Sequence, residues 1–272
     1  MQRMNLELQT AVRAARAAGA ITLSRFGELS QGEIVAKEYK DFVTEVDKQC
    51  EAVISATIME AFPNDGLLCE EGTSGSGASG RVWIVDPLDG TLNFIHSFPL
   101  FGISIAMRDA SGELAVGVVY VPVLDELFTA VRGEGALLNG KRIGVSTRDE
   151  KGSYLFATGI PFKDYEQYMD GYIGLLKDII QDSAGIRRAG SASIDLAYTA
   201  AGRFDGFFEY RLFPWDFAAG VLLVREAGGI VTGFSGSEDV FAHTSILAGS
   251  PVTHPLLLEK AKRHFGGKPL NP

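Results

Sequence analysis

The stretch Trp83 to Phe94, WIVDPLDGTLNF, runs from an apolar strand straight into two carboxylates, Asp86 and Asp89. Pro87 lacks an N–H, so the strand is expected to stop at Asp86, and Asp-Pro-Leu-Asp suits a tight turn. A turn alone leaves the carboxylates unexplained. Two such charges about 4 Å apart repel by roughly 4 kcal/mol at an effective dielectric near 20. Either one protonates or a cation binds between them, and a hard divalent ion with oxygen ligands is the natural solution. Gly90 then lets the backbone approach a ligand, and Thr91 is expected to cap a short helix through TLNF whose first N–H groups form an anion seat. Carboxylates for a metal beside N–H groups for an anion describe a metal-bridged phosphate site.

Several elements must position this turn. A long amphipathic helix is expected over about residues 4 to 26, a short strand near 33 to 37 and a helix over 45 to 62. LLCEE reads as a strand ending in Glu70 and Glu71, and GTSGSGASG as a surface loop. Strands follow in FGISIAMRD, ELAVGVVYVP, ELFTAVRG and LLNGKRIGVS, the last turning at Asn139-Gly140. From about residue 150, strands alternate with helices at 164 to 181, 191 to 202, 214 to 227 and 252 to 265. The first half, 1–148, therefore reads as α+β with an antiparallel sheet, and the second, 149–272, as α/β. No long linker parts them, and crevices between such halves commonly hold ligands.

The chain has 272 residues, 46% of them apolar, and a net charge of −9. That supports a sizeable core and speaks against nucleic-acid or acidic-membrane partners, which need a basic face. Two cysteines make no disulfide framework, so Cys50 and Cys69 read as core thiols in a reducing compartment. Arginines at 3, 13, 16 and 25 interrupt the N-terminal helix, no apolar run reaches membrane-spanning length, and a cytoplasmic location is expected.

Two glycine patterns are decoys. Gly75 to Gly80 matches G-x-G-x-x-G but precedes a strand, whereas the dinucleotide fingerprint must open a helix. Gly135 to Arg142 approaches a P-loop, but an arginine stands where the magnesium-binding hydroxyl belongs. The four histidines lack zinc-ligand spacing.

WIVDPLDGTLNF resembles the signature of the inositol monophosphatase family, and WDFAAGVLLVREAGG (215–229) resembles its second signature. EEGT at 70–73, DFVTEVD at 41–47, the EGALLNGKRIGVS hairpin and AGSASIDLAYTAAGRFDGFFE at 189–209 also resemble family segments, so the similarity covers essentially the whole chain. It implies a layered αβαβα sugar-phosphatase fold, two or three Mg²⁺ per active site, lithium sensitivity, a homodimer, and hydrolysis of a small phosphorylated polyol or sugar such as inositol monophosphate. Fructose-1,6-bisphosphatase and other sugar or nucleotide phosphatases share the scaffold, and some family members serve as partners of the transcription machinery.

The resemblance also assigns roles. Glu70, Asp86 and the Leu88 carbonyl would hold the activating metal, and Asp86, Asp89 and Asp216 a second. Asp216 follows Pro214 in a first helical turn, where it could equally complement the helix dipole. Asp47 also fits a capping box with Thr44 as N-cap; an outer-sphere role with Thr91, orienting the attacking water, is expected beside it. Thr91 and Glu70 would position that water. Gly190, Ser191 and Ala192 begin a helix suited to hydroxyls or phosphate, beside the Asp89-Gly90-Thr91 turn. Glu209 would accept hydrogen bonds from polyol hydroxyls. Glu71 reads as solvated. Arg187, Arg188 and Arg211 suit a second phosphate or plain surface charge, and contacts from Lys37 or Lys40 are open.

Overall fold

A computed structural model describes residues 6–39, 41–162 and 165–267. Lys40, and the starts expected for the first helix and for the helix at 164, lie outside these residues. Helix α1 (Leu6–Arg25) presents Leu8, Ala11, Ala14, Ala15 and Ala18 on one face. These small side chains at helical spacing let it lie close against α2 (Glu45–Ala61), whose Val46, Cys50, Ile54 and Ile58 recur every fourth residue. A hairpin, β1 (Ile34–Glu38) with β2 (Asp41–Thr44), joins the two helices.

Eight strands form the first sheet: β3 (Gly66–Cys69), β4 (Ser74–Gly75), β5 (Val82–Asp89), β6 (Gly102–Arg108), β7 (Leu114–Val121), β8 (Glu126–Val131), β9 (Gly135–Leu138) and β10 (Lys141–Arg142). Their order is β10-β9-β8-β7-β6-β5-β3-β4, antiparallel except for the parallel pair β3 and β5. Ile103, Ile105 and Met107 on β6 face the α1/α2 layer, while Ala106 joins the core on the opposite side. Burial on both faces explains why these strands are apolar almost throughout.

The second sheet has β11 (Tyr154–Thr158), β12 (Ser183–Arg187), β13 (Gly206–Tyr210), β14 (Ile230–Thr232) and β15 (Ser245–Gly249), in the order β12-β11-β13-β15-β14. Between the sheets lie α5 (Ala192–Ala200) and α6 (Pro214–Glu226); Ile194, Leu196, Val221 and Leu222 share one core with residues of both sheets. Helices α4 (Tyr165–Asp182) and α7 (Thr253–Phe265) cover the outer face through Tyr172, Leu175, Ile179 and Leu257. The layering is αβαβα, as the resemblance implied. The chain passes from one sheet to the other between Arg142 and Tyr154.

Three expectations about local structure need correction. Strand β5 does not stop at Asp86. It bulges, with Asp86 opposite Ser104 and Asp89 opposite Gly102, so three steps on β5 match two on β6. Pro87 is tolerated because a bulge asks no ladder N–H of it. Thr91 is the first residue of α3 (Thr91–Ile95), not its cap; that position belongs to Gly90, whose φ of 96° suits glycine. The glycine-rich segment lies at the surface as expected, but it is not all loop: Ser74–Gly75 adds β4 to the edge of the first sheet.

Candidate active site

The β5 bulge and α3 place a run of chemistry where the two sheets and α6 meet. Asp86 is 2% exposed. Its carboxyl is pushed well above the usual range, first by burial and then by the charges of Glu70, Asp89 and Asp216. Burial first, then the charges of Glu70, Asp89 and Glu209, hold Asp216 well above its ordinary value against the Phe213 N–H donor. Asp89 is also raised by burial, although donors from Ser191 and Ser193 oppose the shift. Glu70 rises to about 7 because burial and Glu71 outweigh the nearby Lys37 ammonium. Four carboxylates from β3's end, β5 and α6 thus crowd together and destabilise one another's charged forms.

The three aspartates are each anchored through one oxygen. Leu88 N donates to Asp86 Oδ1 at 3.0 Å. Ser191 Oγ and Ser193 N donate to Asp89 Oδ2 at 2.6 and 2.7 Å. Phe213 N donates to Asp216 Oδ2 at 2.6 Å, the helix-start role that competed with ligation in the sequence. Among the described residues, no three His, Cys, Asp or Glu side chains enclose an ion as they stand. The cluster is open, with its carboxylates tethered by the backbone. Its donor chemistry fits a hard divalent cation: all-oxygen, mutually repelling and largely withdrawn from solvent. A cation is already drawn there, since Lys37 Nζ lies 3.5 Å from Glu70 Oε1 and 2.5 Å from Glu71 Oε1. Glu71 is therefore not solvated. Its side chain is 5% exposed and its backbone N–H donates to the buried Glu51 at 2.7 Å.

Asp47 does two things at once. Thr44 N and Oγ1 donate to its Oδ2 at 2.8 and 2.5 Å, completing the capping box of α2. Thr91 Oγ1 donates to its Oδ1 at 2.9 Å and approaches the Leu88 carbonyl at 3.1 Å. Burial raises the Asp47 carboxyl, against the pull of these donors.

A cavity of about 940 Å³ opens beside the cluster, lined among others by Lys37, Glu70, Asp89, Gly190, Ser191, Ala192, Glu209 and Asp216. Burial lifts Glu209 to about 8, partly offset by Arg188 and reinforced by Asp89. Arg188 and Arg211 line the same cavity, and Arg188 lies 5.5 Å from the Phe162 ring. Arg187 is exposed and hydrogen-bonds the Ile186 carbonyl. Ser191 spends its hydroxyl on Asp89, so the GSAS turn positions a carboxylate as well as bordering the cavity.

Two further residues shape the site. Asn93 Nδ2 donates to Leu100 O at 2.6 Å and Ala189 O at 2.8 Å, tying α3 to the loop before α5. Gly159 lies so close to Glu209 that a methyl group there would overlap its carboxylate. The WIVDPLDGTLNF match could have drawn attention to Asn93; nothing in the sequence around Gly159 marks it.

The chain matches known proteins over nearly its whole length. The chain belongs to the inositol monophosphatase family, whose model matches residues 4–265. It is 45% identical to the Nus factor SuhB of Pseudomonas aeruginosa over 263 residues, covering 95% of this chain and 96% of that one. The extragenic suppressor protein suhB from Bartonella henselae superposes with a TM-score of 0.91 at 40% identity, covering 95% of this chain and 99% of that one. The Thermotoga maritima IMPase gives a TM-score of 0.86 at 34% identity, over 96% and 98%.

Proposed function

We propose that this chain is a magnesium-dependent phosphomonoesterase acting on a small polyol or sugar phosphate, with inositol monophosphate the first candidate. The observation that carries this reading is the burial of Asp86 among Glu70, Asp89 and Asp216 at the edge of a cavity that also holds Glu209. Glu70, Asp86, Asp89, Asp216 and the Leu88 carbonyl would hold two or three Mg²⁺. When bound, the metal supplies charge against the phosphate and acidifies the attacking water. Thr91, steadied by Asp47, and Glu70 orient that water. The backbone of Asp89, Gly90 and Thr91 at the start of α3 receives phosphate oxygens as charge shifts. Glu209 and the Gly190-Ser191-Ala192 turn receive the alcohol's hydroxyls. Fructose-1,6-bisphosphate and other sugar or nucleotide phosphates are the alternative substrates.

The proposal includes a homodimer, lithium sensitivity and a cytoplasmic location. It divides the chain at about residue 148, with most metal ligands before it and Asp216 and the substrate contacts after. Among the described residues, no helix is long and apolar enough to cross a membrane.

Phosphate release with and without Mg²⁺ tests the reading. The panel is myo-inositol 1-phosphate, fructose 1,6-bisphosphate, 3′-phosphoadenosine 5′-phosphate and histidinol phosphate. Absence of magnesium-dependent turnover on all four would sink it.

A second reading is favoured by one finding: a relative at 45% identity is named a Nus factor. On that reading the chain works by binding transcription machinery, and the absence of a nucleic-acid partner, expected from charge alone, would not hold for the assembly it joins. An Asp89→Asn variant separates the two, because a binding role survives its loss of turnover.

A further inference from the structure

The aspartates of the cluster are each held by a donor, but Glu209 is not. Among the described residues its carboxylate accepts no hydrogen bond, and only charges and burial act on it. Its place is set by its own backbone and by the surface it rests on, the bare Cα of Gly159. Pairing with Ile246 on β15 fixes the Glu209 backbone. The Gly159 side has no such support. Strands β11 and β13 pair in parallel as far as Thr158 opposite Phe208, and the ladder ends one step short of Gly159 and Glu209.

Side chains take over where the ladder ends. Tyr172, from the outer helix α4, is fully buried and reaches this step. Its hydroxyl donates to Gly159 O at 2.7 Å and lies 3.1 Å from Phe208 O. Thr158 Oγ1 donates to Phe208 O at 2.8 Å, lies 3.0 Å from Gly159 O and touches the Tyr172 hydroxyl at 2.7 Å. One carbonyl belongs to the chain leaving β11 and the other to β13. The hydroxyl pair therefore staples the two together beside the Glu209 carboxylate.

A phenol close to a carboxylate would ordinarily hydrogen-bond it. Burial first, and then the Glu209 charge, hold the Tyr172 hydroxyl well above its usual range, so it remains a donor. Its proton nevertheless goes to a carbonyl. Both Glu209 oxygens are left for a ligand in the cavity that Glu209 and Gly159 line together, and neither Tyr172 nor Thr158 lines that cavity. The arrangement aims the carboxylate without occupying it.

We infer that Tyr172, acting with Thr158, is a positioning residue for substrate recognition: the hydroxyl pair holds the Gly159 wall that aims Glu209 at the substrate's hydroxyls. This rests on the phosphatase reading of the same cavity and places part of its control on α4.

Tyr172→Phe removes the hydroxyl and keeps the ring, whose centroid lies 5.8 Å from that of Phe208. KM for the polyol or sugar ester the wild-type protein prefers, myo-inositol 1-phosphate first, should rise about fivefold, the scale of one hydrogen bond, with kcat unchanged. KM for 4-nitrophenyl phosphate, whose leaving group carries no further hydroxyl, should not move. In a Glu209→Gln background the same change should add nothing, because both act through one contact. Thr158→Ser, which keeps the hydroxyl, should stay closer to wild type than Thr158→Val. An unchanged KM for the polyol ester in Tyr172→Phe overturns the inference. So does an equal loss on both esters, which marks a general loosening of the fold. If no ester is hydrolysed, the phosphatase reading fails, and a crystal structure of metal-free Tyr172→Phe still decides the positioning role. A Glu209 carboxylate moved from its wild-type place supports it; an unmoved one overturns it.

Discussion

Thr91 Oγ1 donates to Asp47 Oδ1 at 2.9 Å, joining the start of α3 to the start of α2 across 44 residues of sequence. The same Asp47 closes the α2 capping box, so removing it mixes a fold effect with a site effect. Thr91→Val separates them. It should leave Tm within a few degrees, since one hydrogen bond is worth about 1 kcal/mol net, while kcat falls about a hundredfold or more. Asp47→Ala should lose both, with about 1–3 kcal/mol gone from chemical denaturation.

Asp89→Asn removes one charge from a cluster in which every charge opposes the others. The amide oxygen can still accept from Ser191 and Ser193. Metal-free Tm should hold or rise, and magnesium-dependent phosphate release should fall by about three orders of magnitude. Near-normal turnover in this variant would remove Asp89 from the metal site.

Gly159→Ala should raise KM with little change in kcat, because the new methyl group displaces the Glu209 carboxylate rather than any backbone. Glu209→Gln should raise KM for polyol esters as well. If the Ala variant keeps the wild-type KM, Glu209 does not read the substrate.

Burial lifts Glu209 from 4.5 to about 8. The folded state therefore keeps a proton that the unfolded chain releases above its ordinary value. Metal-free stability should fall as pH rises from about 4.5 toward 8 and level off above it. Glu209→Gln should flatten part of that slope in urea titrations across the range. A stability that climbs with pH over this interval would contradict the burial described.

Burial lifts both thiols, Cys50 and Cys69, to about 12. A thiol-reactive dye should label neither in the native protein and both in denaturant. Rapid native labelling would show local opening at α2 or β3.

What could be read from the sequence was what neighbouring residues decide together. The capping box at Thr44-Asp47 lies within one turn, and Asn139-Gly140 is a turn in itself. Asp86 and Asp89 were legible as a charge problem because they stand three residues apart. Other features depend on distant partners. Asp89 finds Ser191 across 102 residues, and Asn93 finds Ala189 across 96. Glu71 looked solvated because Lys37 and Glu51, which bury and bond it, come from elements whose packing no local pattern reveals. The bulge at Pro87 arises because Asp89 is drawn back into register opposite Gly102, a demand of β6 rather than of the turn.

The layer of α5 and α6 sets an order of events during synthesis. The eight-stranded sheet is complete by Arg142, yet the helices that cover its inner face end only at Glu226. A nascent chain emerging from the ribosome therefore carries that apolar face bare while a further 84 of its 272 residues are made. Until α6 arrives, that exposed apolar surface is prone to aggregate. A stop codon placed anywhere between those two points should yield an insoluble product, even though an entire sheet has been made.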